Sequence, residues 1–295
     1  MPTVTHCVIP VAGFGTRFLP ATKAVPKEML PIVDKPVLQY VVEEAVGAGC
    51  ADVTFVTGRL KRAIEDHFDT SFELERTLEE SGKTEELQKV RQVGAMARFS
   101  YVRQPLPLGD GDALLRARGV VADAPFLVLF GDDLVVGESS AAQQLLVAFE
   151  KLDGPVVAVM PITDAETRQY GVVEGSAAGT SGALRVSKFL EKPAATETAS
   201  RTGVIGKYVL TPEVFTYLEK ARATRATGET RLADAFALMV ADGRPVYALP
   251  IVGTRYDTGS KIGFLKATFD FALARPDLGP QLREHFSCKN TLRDL

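Results

Sequence analysis

"VAGFGTRFLPATKAVPKEMLPIVDKP", residues 11–36, comes directly after an apolar run, VTHCVIPV (4–11), that reads as a buried strand. A strand feeding a helix in an α/β unit normally does so within a few residues. Here the chain first passes through an irregular segment carrying Gly13, Gly15, Arg17, Lys23, Lys27, Lys35 and the prolines at 20, 26, 31 and 36. Ligands of open parallel sheets bind beyond the carboxyl ends of the strands. A glycine-rich loop there lets backbone N–H groups face an anion without obstruction. Gly13 and Gly15 meet that need, and Arg17 adds a permanent planar cation suited to phosphate. Two common phosphate patterns do not fit. A G-x-G-x-x-G turn would need glycine at 18, where Phe18 stands, and a P-loop would need G-K-[S/T] at 18–20, which read Phe-Leu-Pro. At this level the segment remains either a phosphate loop or a plain glycine turn.

Outward from the loop, strands and helices alternate. Strands are predicted at 52–57, 97–102, 126–130 and 155–162. Between the first two strands, Val37, Leu38, Val41, Val42, Ala45 and Val46 recur at helical spacing over 36–49, with Pro36 near the start and glycines at the end. Residues 59–95 are polar and helix-prone, a solvated helical face, and 141–152 form another helix. The second half reads as a hairpin (171–175 and 183–192, joined by the small-residue turn 177–182), a strand at 202–210, two helices (211–221 and 230–243), a strand at 245–251 and a last amphipathic helix at 261–274. The alternation predicts an α/β fold, Rossmann-like, with a mainly parallel mixed sheet flanked by helices, a small antiparallel insertion and a C-terminal helical segment. Residues 1–260 would form the catalytic unit. Residues 261–295 would belong to the same domain and supply an oligomer contact.

Composition narrows the function classes. A net charge of −3 argues against a general nucleic-acid surface, so any basic function is local. Cys7, Cys50 and Cys288 are scattered and odd in number, which disfavours a disulfide framework or a clustered zinc site. The histidines, His6, His67 and His285, are equally dispersed and read as structural or surface residues. No apolar run is long enough for a membrane span, and the start lacks a signal-peptide layout; a cytoplasmic, non-membrane protein is expected. Two carboxylates, Asp132 and Asp133, end the apolar strand in LVLFGDDLVVG, and Asp257 follows another in YDTGS. Such aspartates either hold a divalent ion or close a turn.

The motif GFGTRFLPATKAVPKEMLP resembles the signature of the nucleotide-sugar pyrophosphorylases, in the form carried by bacterial UTP–glucose-1-phosphate uridylyltransferases. The resemblance continues through FGDDL, YGVVE, FLEKP, GKYVLTPEVF, GETRLADAF and RYDTGSKIGFLKAT, and so spans residues 5–270. It implies a nucleotidyltransferase (glycosyltransferase-A-like) fold and a Mg²⁺-dependent reaction of UTP with α-D-glucose 1-phosphate that yields UDP-glucose and pyrophosphate. The loop becomes a lid over a triphosphate, stiffened by its prolines. The resemblance places Ala12, Gly13 and Glu28 on the nucleoside and Arg17 and Lys27 on the phosphates. Mg²⁺ falls to Asp132 and Asp257, with Asp133 in a supporting or turn role. In FLEKP, which alone would read as a solvated ion pair, it puts Lys192 on the sugar phosphate and Glu191 on sugar hydroxyls. Gly171, Gly203 and Val204 complete the sugar pocket. Gln104, with its paired donor and acceptor, suits a pyrimidine edge, and Gly109 offers backbone groups to the same base. A homodimer or homotetramer is implied.

The chain departs from the family pattern around base and sugar. Asp110 and Asp112 replace Leu and His, Arg231 and Ala233 replace Gln and Thr, Gly131 stands for Pro, and Ser-Arg-Thr precedes Gly203. The phosphate and metal positions match. The competing readings are a dTTP-using thymidylyltransferase or dual-specificity enzyme, since one methyl separates thymine from uracil, and a nucleotide-sugar-binding or regulatory protein without turnover.

Overall fold

The computed structural model describes residues 3–121, 123–179, 182–224 and 228–288. β1 (His6–Pro10) leads into the long loop, which ends in the short strands β2 (Pro31–Ile32) and β3 (Lys35–Pro36) and in α1 (Val37–Gly47). There follow β4 (Asp52–Thr57), α2 (Arg62–Phe68), α3 (Phe72–Glu80), α4 (Thr84–Gly94), β5 (Arg98–Arg103), α5 (Asp110–Val121), β6 (Phe126–Leu129), β7 (Asp133–Val136) and α6 (Ala141–Phe149). The second half comprises β8 (Val156–Pro161), β9 (Gly171–Ala177), β10 (Leu184–Glu191), β11 (Thr202–Leu210), α7 (Glu213–Thr224), α8 (Leu232–Ala241), β12 (Tyr247–Pro250), β13 (Thr254–Asp257), α9 (Lys261–Ala274) and α10 (Gly279–Cys288).

The main sheet runs β5-β4-β1-β6-β11-β8-β12-β10-β9. β1 is its hinge: Cys7 pairs in parallel register with Val53 on one side and Leu127 on the other. Side chains alternate faces along a strand. Accordingly Cys7 and Ile9 pack beneath Leu38, Val41 and Val42 of α1, while Val8 joins Ala113, Leu114 and Ala117 of α5 in a second core on the opposite face. The expected helix over 36–49 forms because that apolar stripe has a sheet face to cover.

The expectation of a mainly parallel sheet holds for β5, β4, β1 and β6 and, apart from them, for the pair β8 and β12. β11 is antiparallel to both β6 and β8, and β10 is antiparallel to β12 and β9. The expected hairpin, β9 and β10, is not a separate insertion. β9 returns to β11 through Gly203 and Val172, which closes β11, β8, β12, β10 and β9 into a mixed five-stranded ring. An apolar run buried on both faces carries no information on strand direction, so the pattern alone could not distinguish these arrangements. Residues 180 and 181 of the predicted turn lie outside the described residues.

Residues 59–95 form α2–α4, of which α3 buries nothing. α5 and the pair β7–β13 are additions to the sequence reading. Part of the polar tail is helical in α10, and residues 289–295 lie outside the described residues. No helix among the described residues is long and apolar enough to cross a membrane.

Candidate active site

The carboxyl ends of β1 and β6 open on a cavity of two adjoining lobes, about 330 and 260 Å³. Ala12, Gly13, Lys27, Glu28, Gln104 and Gly109 line the first lobe. Arg17, Gly171, Val204 and Asp257 line the second. Asp132, Glu191 and Lys192 border both. Nearly all the residues expected from the sequence therefore converge. Two do not face the cavity. Gly15 adopts the left-handed conformation (φ 67°), and a β-carbon there would sit 3.0 Å from Cβ of Lys27, so it shapes the loop that presents Lys27. Gly203, expected in the sugar pocket, is buried where β11 meets β8 and β9. A β-carbon there would lie 2.4 Å from Cγ2 of Ile162, so its smallness serves packing.

The loop between β1 and β2 is built from three single turns, at Thr16–Phe18, Ala21–Lys23 and Lys27–Met29. Thr22 Oγ1 donates to the Gly15 carbonyl (2.8 Å), and Arg17 Nη1 donates to the Gly259 carbonyl (3.3 Å), tying the loop to the segment after β13. Lys27 forms an ion pair with Asp132. Burial opposes the charge on Lys27, but Asp132 and Glu28 outweigh it and hold the ammonium pKa above its ordinary value. Burial likewise works to raise the Asp132 carboxyl, and Lys27 more than offsets it, leaving Asp132 below the usual range. Beneath the first lobe, Glu28 accepts a hydrogen bond from Lys61 at 2.7 Å. Both are nearly inaccessible, and burial pushes the carboxyl up and the ammonium down.

Asp132 and Asp257 come from different strand ends but crowd the same glycine. A β-carbon on Gly259 would lie 2.5 Å from Asp132 Oδ2 and 3.1 Å from Asp257 Oδ1. Burial first, and then the like charge of Asp132, raise the Asp257 carboxyl. Two carboxylates so placed suit a hard divalent cation that takes its remaining ligands from phosphate and water. Among the described residues, no group of three or more His, Cys, Asp or Glu forms a self-sufficient metal cage. Asp133, paired with Asp257 across the β7–β13 ladder, borders the second lobe but is engaged by other partners. It takes two hydrogen bonds from Arg255 (2.8 and 2.9 Å) and one from the Gly206 amide (2.9 Å). Arg255 in turn sits over the ring of Tyr170, 4.7 Å from its centroid. The sequence reading passed over Arg255 and Tyr170. Arg255 stands two residues from Asp257 on one strand, and hence on the same face, which is the signal that could have found it.

Lys192 and Glu191 stand at the junction of the lobes. The Lys192 side chain is 52% exposed, and its ammonium lies 3.6 Å from Glu191. Its backbone has φ 49°, a left-handed conformation that costs a non-glycine residue energy and is concentrated at functional sites. Arg231 reaches to 3.7 Å from Glu191 and lines the first lobe. Asp110 is accounted for structurally: its Oδ1 accepts from the Leu232 amide (2.9 Å) at the start of α8.

Cations from one loop and carboxylates from two strand ends thus meet at a shared junction, an arrangement suited to phosphate. Residues 6–272 match the nucleotidyl transferase family model, and the chain belongs to that family. It is 46% identical to UTP–glucose-1-phosphate uridylyltransferase of Bacillus subtilis, over 96% of both chains. To the enzyme of the same name from Streptococcus pneumoniae it is 45% identical, over 96% of this chain and 95% of that one. Among solved structures, UTP-bound UGPase from Acinetobacter baumannii superposes with a TM-score of 0.88 at 36% identity, over 96% and 99% of the two chains. A UDP-glucose pyrophosphorylase complexed with UDP-glucose superposes with a TM-score of 0.83 at 36% identity, over 92% and 100%.

Proposed function

We propose that this chain joins UTP and α-D-glucose 1-phosphate into UDP-glucose with release of pyrophosphate. The observation that carries the reading is the convergence of Arg17, Lys27, Asp132, Asp257 and Lys192 on one two-lobed cavity. The similarity to uridylyltransferases over nearly the whole chain supports it. The catalytic unit is Rossmann-like and glycosyltransferase-A-like, with the nucleotide over the ends of β1 and β6 and the sugar in the second lobe. In the assembly, α9 contributes to a contact between copies through its exposed Ile262, Leu265 and Phe269.

A phosphate oxygen of glucose 1-phosphate attacks the α-phosphorus of UTP in line, and the bond to the leaving pyrophosphate breaks. The nucleophile is already an anion, so no general base is needed. The obstacle is repulsion between anions and charge growing on the leaving group, and catalysis is positioning plus electrostatic stabilisation. Lys192 holds the attacking phosphate where the lobes meet. Arg17 and Lys27 stabilise the departing pyrophosphate. Glu191 and the backbone near Gly171 and Val204 orient the sugar. Ala12 and Gly13 leave their backbone groups open to the nucleoside, above the Glu28–Lys61 pair. Asp132 and Asp257 would hold Mg²⁺, which supplies charge neutralisation at the reacting phosphates.

The test is pyrophosphate release from purified protein with Mg²⁺, crossing UTP, dTTP, CTP and GTP with the 1-phosphates of glucose, galactose and N-acetylglucosamine. A dominant signal from UTP with glucose 1-phosphate is expected. Dominance of another pair would replace the substrates, and nucleotide binding without turnover would replace the enzyme by a binding protein.

A further inference from the structure

Gln104 follows β5 and is 5% exposed, with its side chain at the wall of the first lobe. Its Nε2 donates twice, to the Gly109 carbonyl (2.9 Å) and to Asp112 Oδ2 (3.0 Å). A backbone carbonyl can only accept, and so can an ionised carboxylate. Asp112 is 1% exposed, lies in the first turn of α5 and takes a further hydrogen bond from Arg116 on its other oxygen (3.1 Å). With the Arg116 guanidinium on one oxygen, Asp112 presents the other to Gln104 as an acceptor. Rotating the Gln104 amide by half a turn would therefore exchange two hydrogen bonds for two oxygen–oxygen repulsions. Both amide protons are used inward, and Oε1, which has no hydrogen-bond partner among the described residues, is left as the polar atom for a ligand in the lobe.

We propose that Asp112 is a specificity-positioning residue: with the Gly109 carbonyl it locks the Gln104 amide so that Gln104 offers the nucleobase an acceptor and never a donor. The inference rests on the reading of this lobe as the base site. A locked acceptor suits the ring N3–H of uracil. Thymine presents the same edge, whereas cytosine presents a bare ring nitrogen at that position and meets oxygen with a lone pair. Asp112 thus favours uracil and thymine over cytosine and is indifferent between the first two. It stands where the resembled family carries histidine, so the acidic departure near the base serves discrimination without touching the substrate.

Asp112→Asn is the decisive variant, because its side-chain amide can donate to a turned Gln104. Steady-state kcat/KM would be measured for UTP, dTTP and CTP with glucose 1-phosphate and Mg²⁺. The expected result is a fall of about tenfold or more in the UTP-to-CTP ratio, with the UTP-to-dTTP ratio unchanged. A general loss of structure would depress all three nucleotides together. Asp112→Ala, which leaves the Gly109 carbonyl alone to hold the amide, gives a second measurement if Asp112→Asn does not fold; its UTP-to-CTP ratio should also fall. A folded variant that keeps the parent's UTP-to-CTP ratio overturns the lock. Failure of the parent protein to prefer UTP over CTP would instead overturn the assignment of the nucleotide.

Discussion

Lys207 of β11 and Glu44 of α1 meet at 2.6 Å across the core, with the lysine side chain wholly inaccessible and the carboxylate 8% exposed. Glu44 also accepts from the Ala142 amide at 3.0 Å, so one carboxylate ties α1, β11 and the start of α6 together. Removing one partner strands a buried charge, which costs far more than replacing both. Lys207→Ala is expected to lower the unfolding free energy by about 3–5 kcal/mol. The pair replacement Lys207→Met with Glu44→Gln, whose side-chain oxygen can still accept from Ala142, should recover most of the loss. Chemical denaturation of the three proteins decides it; equal stability of Lys207→Ala and the parent would refute the role.

Lys192 gives the opposite pattern. Its side chain is half exposed and its nearest charged neighbour is 3.6 Å away, so little stability depends on it. Lys192→Ala should reduce turnover about 10²–10³-fold, as expected for losing one aligned charge at a transition state. The thermal midpoint should stay within a degree or two of the parent. A variant retaining near-parental turnover would remove Lys192 from the mechanism.

Gly259 governs the spacing of Asp132 and Asp257. Its amide donates to Asp257 Oδ1 (3.0 Å), and the missing β-carbon leaves room for the Asp132 carboxylate. Gly259→Ala should raise the Mg²⁺ concentration for half-maximal activity by about tenfold or more. Saturating chelator should abolish turnover in parent and variant alike. An unchanged Mg²⁺ dependence would show that the two carboxylates do not share the ion.

Asp110 makes a pH prediction with a definite sign. Burial lifts its carboxyl from 3.8 to about 6, against the opposing hydrogen bond from Leu232. Between those values the folded protein keeps a proton that the unfolded chain has lost. This group therefore makes stability fall as pH rises from about 4 to about 6, with no further change above. Asp110→Asn keeps an oxygen for the Leu232 amide and cannot ionise. Unfolding free energies measured from pH 4 to 7 should move in the variant's favour across that window. Parallel curves for the two proteins would contradict the assignment.

The parts of the site that were legible in the sequence are those whose chemistry is local. The loop at 11–36 concentrates glycines, cations and prolines in one segment, and Asp132 follows the apolar run 126–130 after a single glycine. What escaped is non-local. The four-residue strands β7 and β13 pair across more than a hundred residues, which no periodicity records. α5 starts as DGD, with glycines at 109, 111 and 119 diluting its pattern. Tertiary contacts position its start: the Gly111 amide donates to the Thr230 carbonyl (2.9 Å), and Asp110 takes the Leu232 amide. In the sequence Asp110 and Asp112 stand only as departures from the family pattern. Their hydrogen bonds show one holding α8 and the other holding Gln104. The resemblance puts Gly203 in the sugar pocket together with Val204, and only packing against Ile162 distinguishes the two.

The return of β9 to β11 also bears on how the protein behaves in a crowded solution. An unpaired sheet edge is a template for another chain, and closing a sheet on itself removes it. In the nine-stranded sheet the ring leaves β5 as the open flank. That flank carries Arg98 and Arg103 at its two ends, with the Arg98 side chain 75% exposed and anchored to Asp52 of the neighbouring strand (2.6 Å). Two such flanks brought side by side would set arginine against arginine in antiparallel or in parallel register. The same closure that shapes the second lobe therefore leaves the nine-stranded sheet, among the described residues, one rim for ribbon-like self-association, and that rim is guarded by charge.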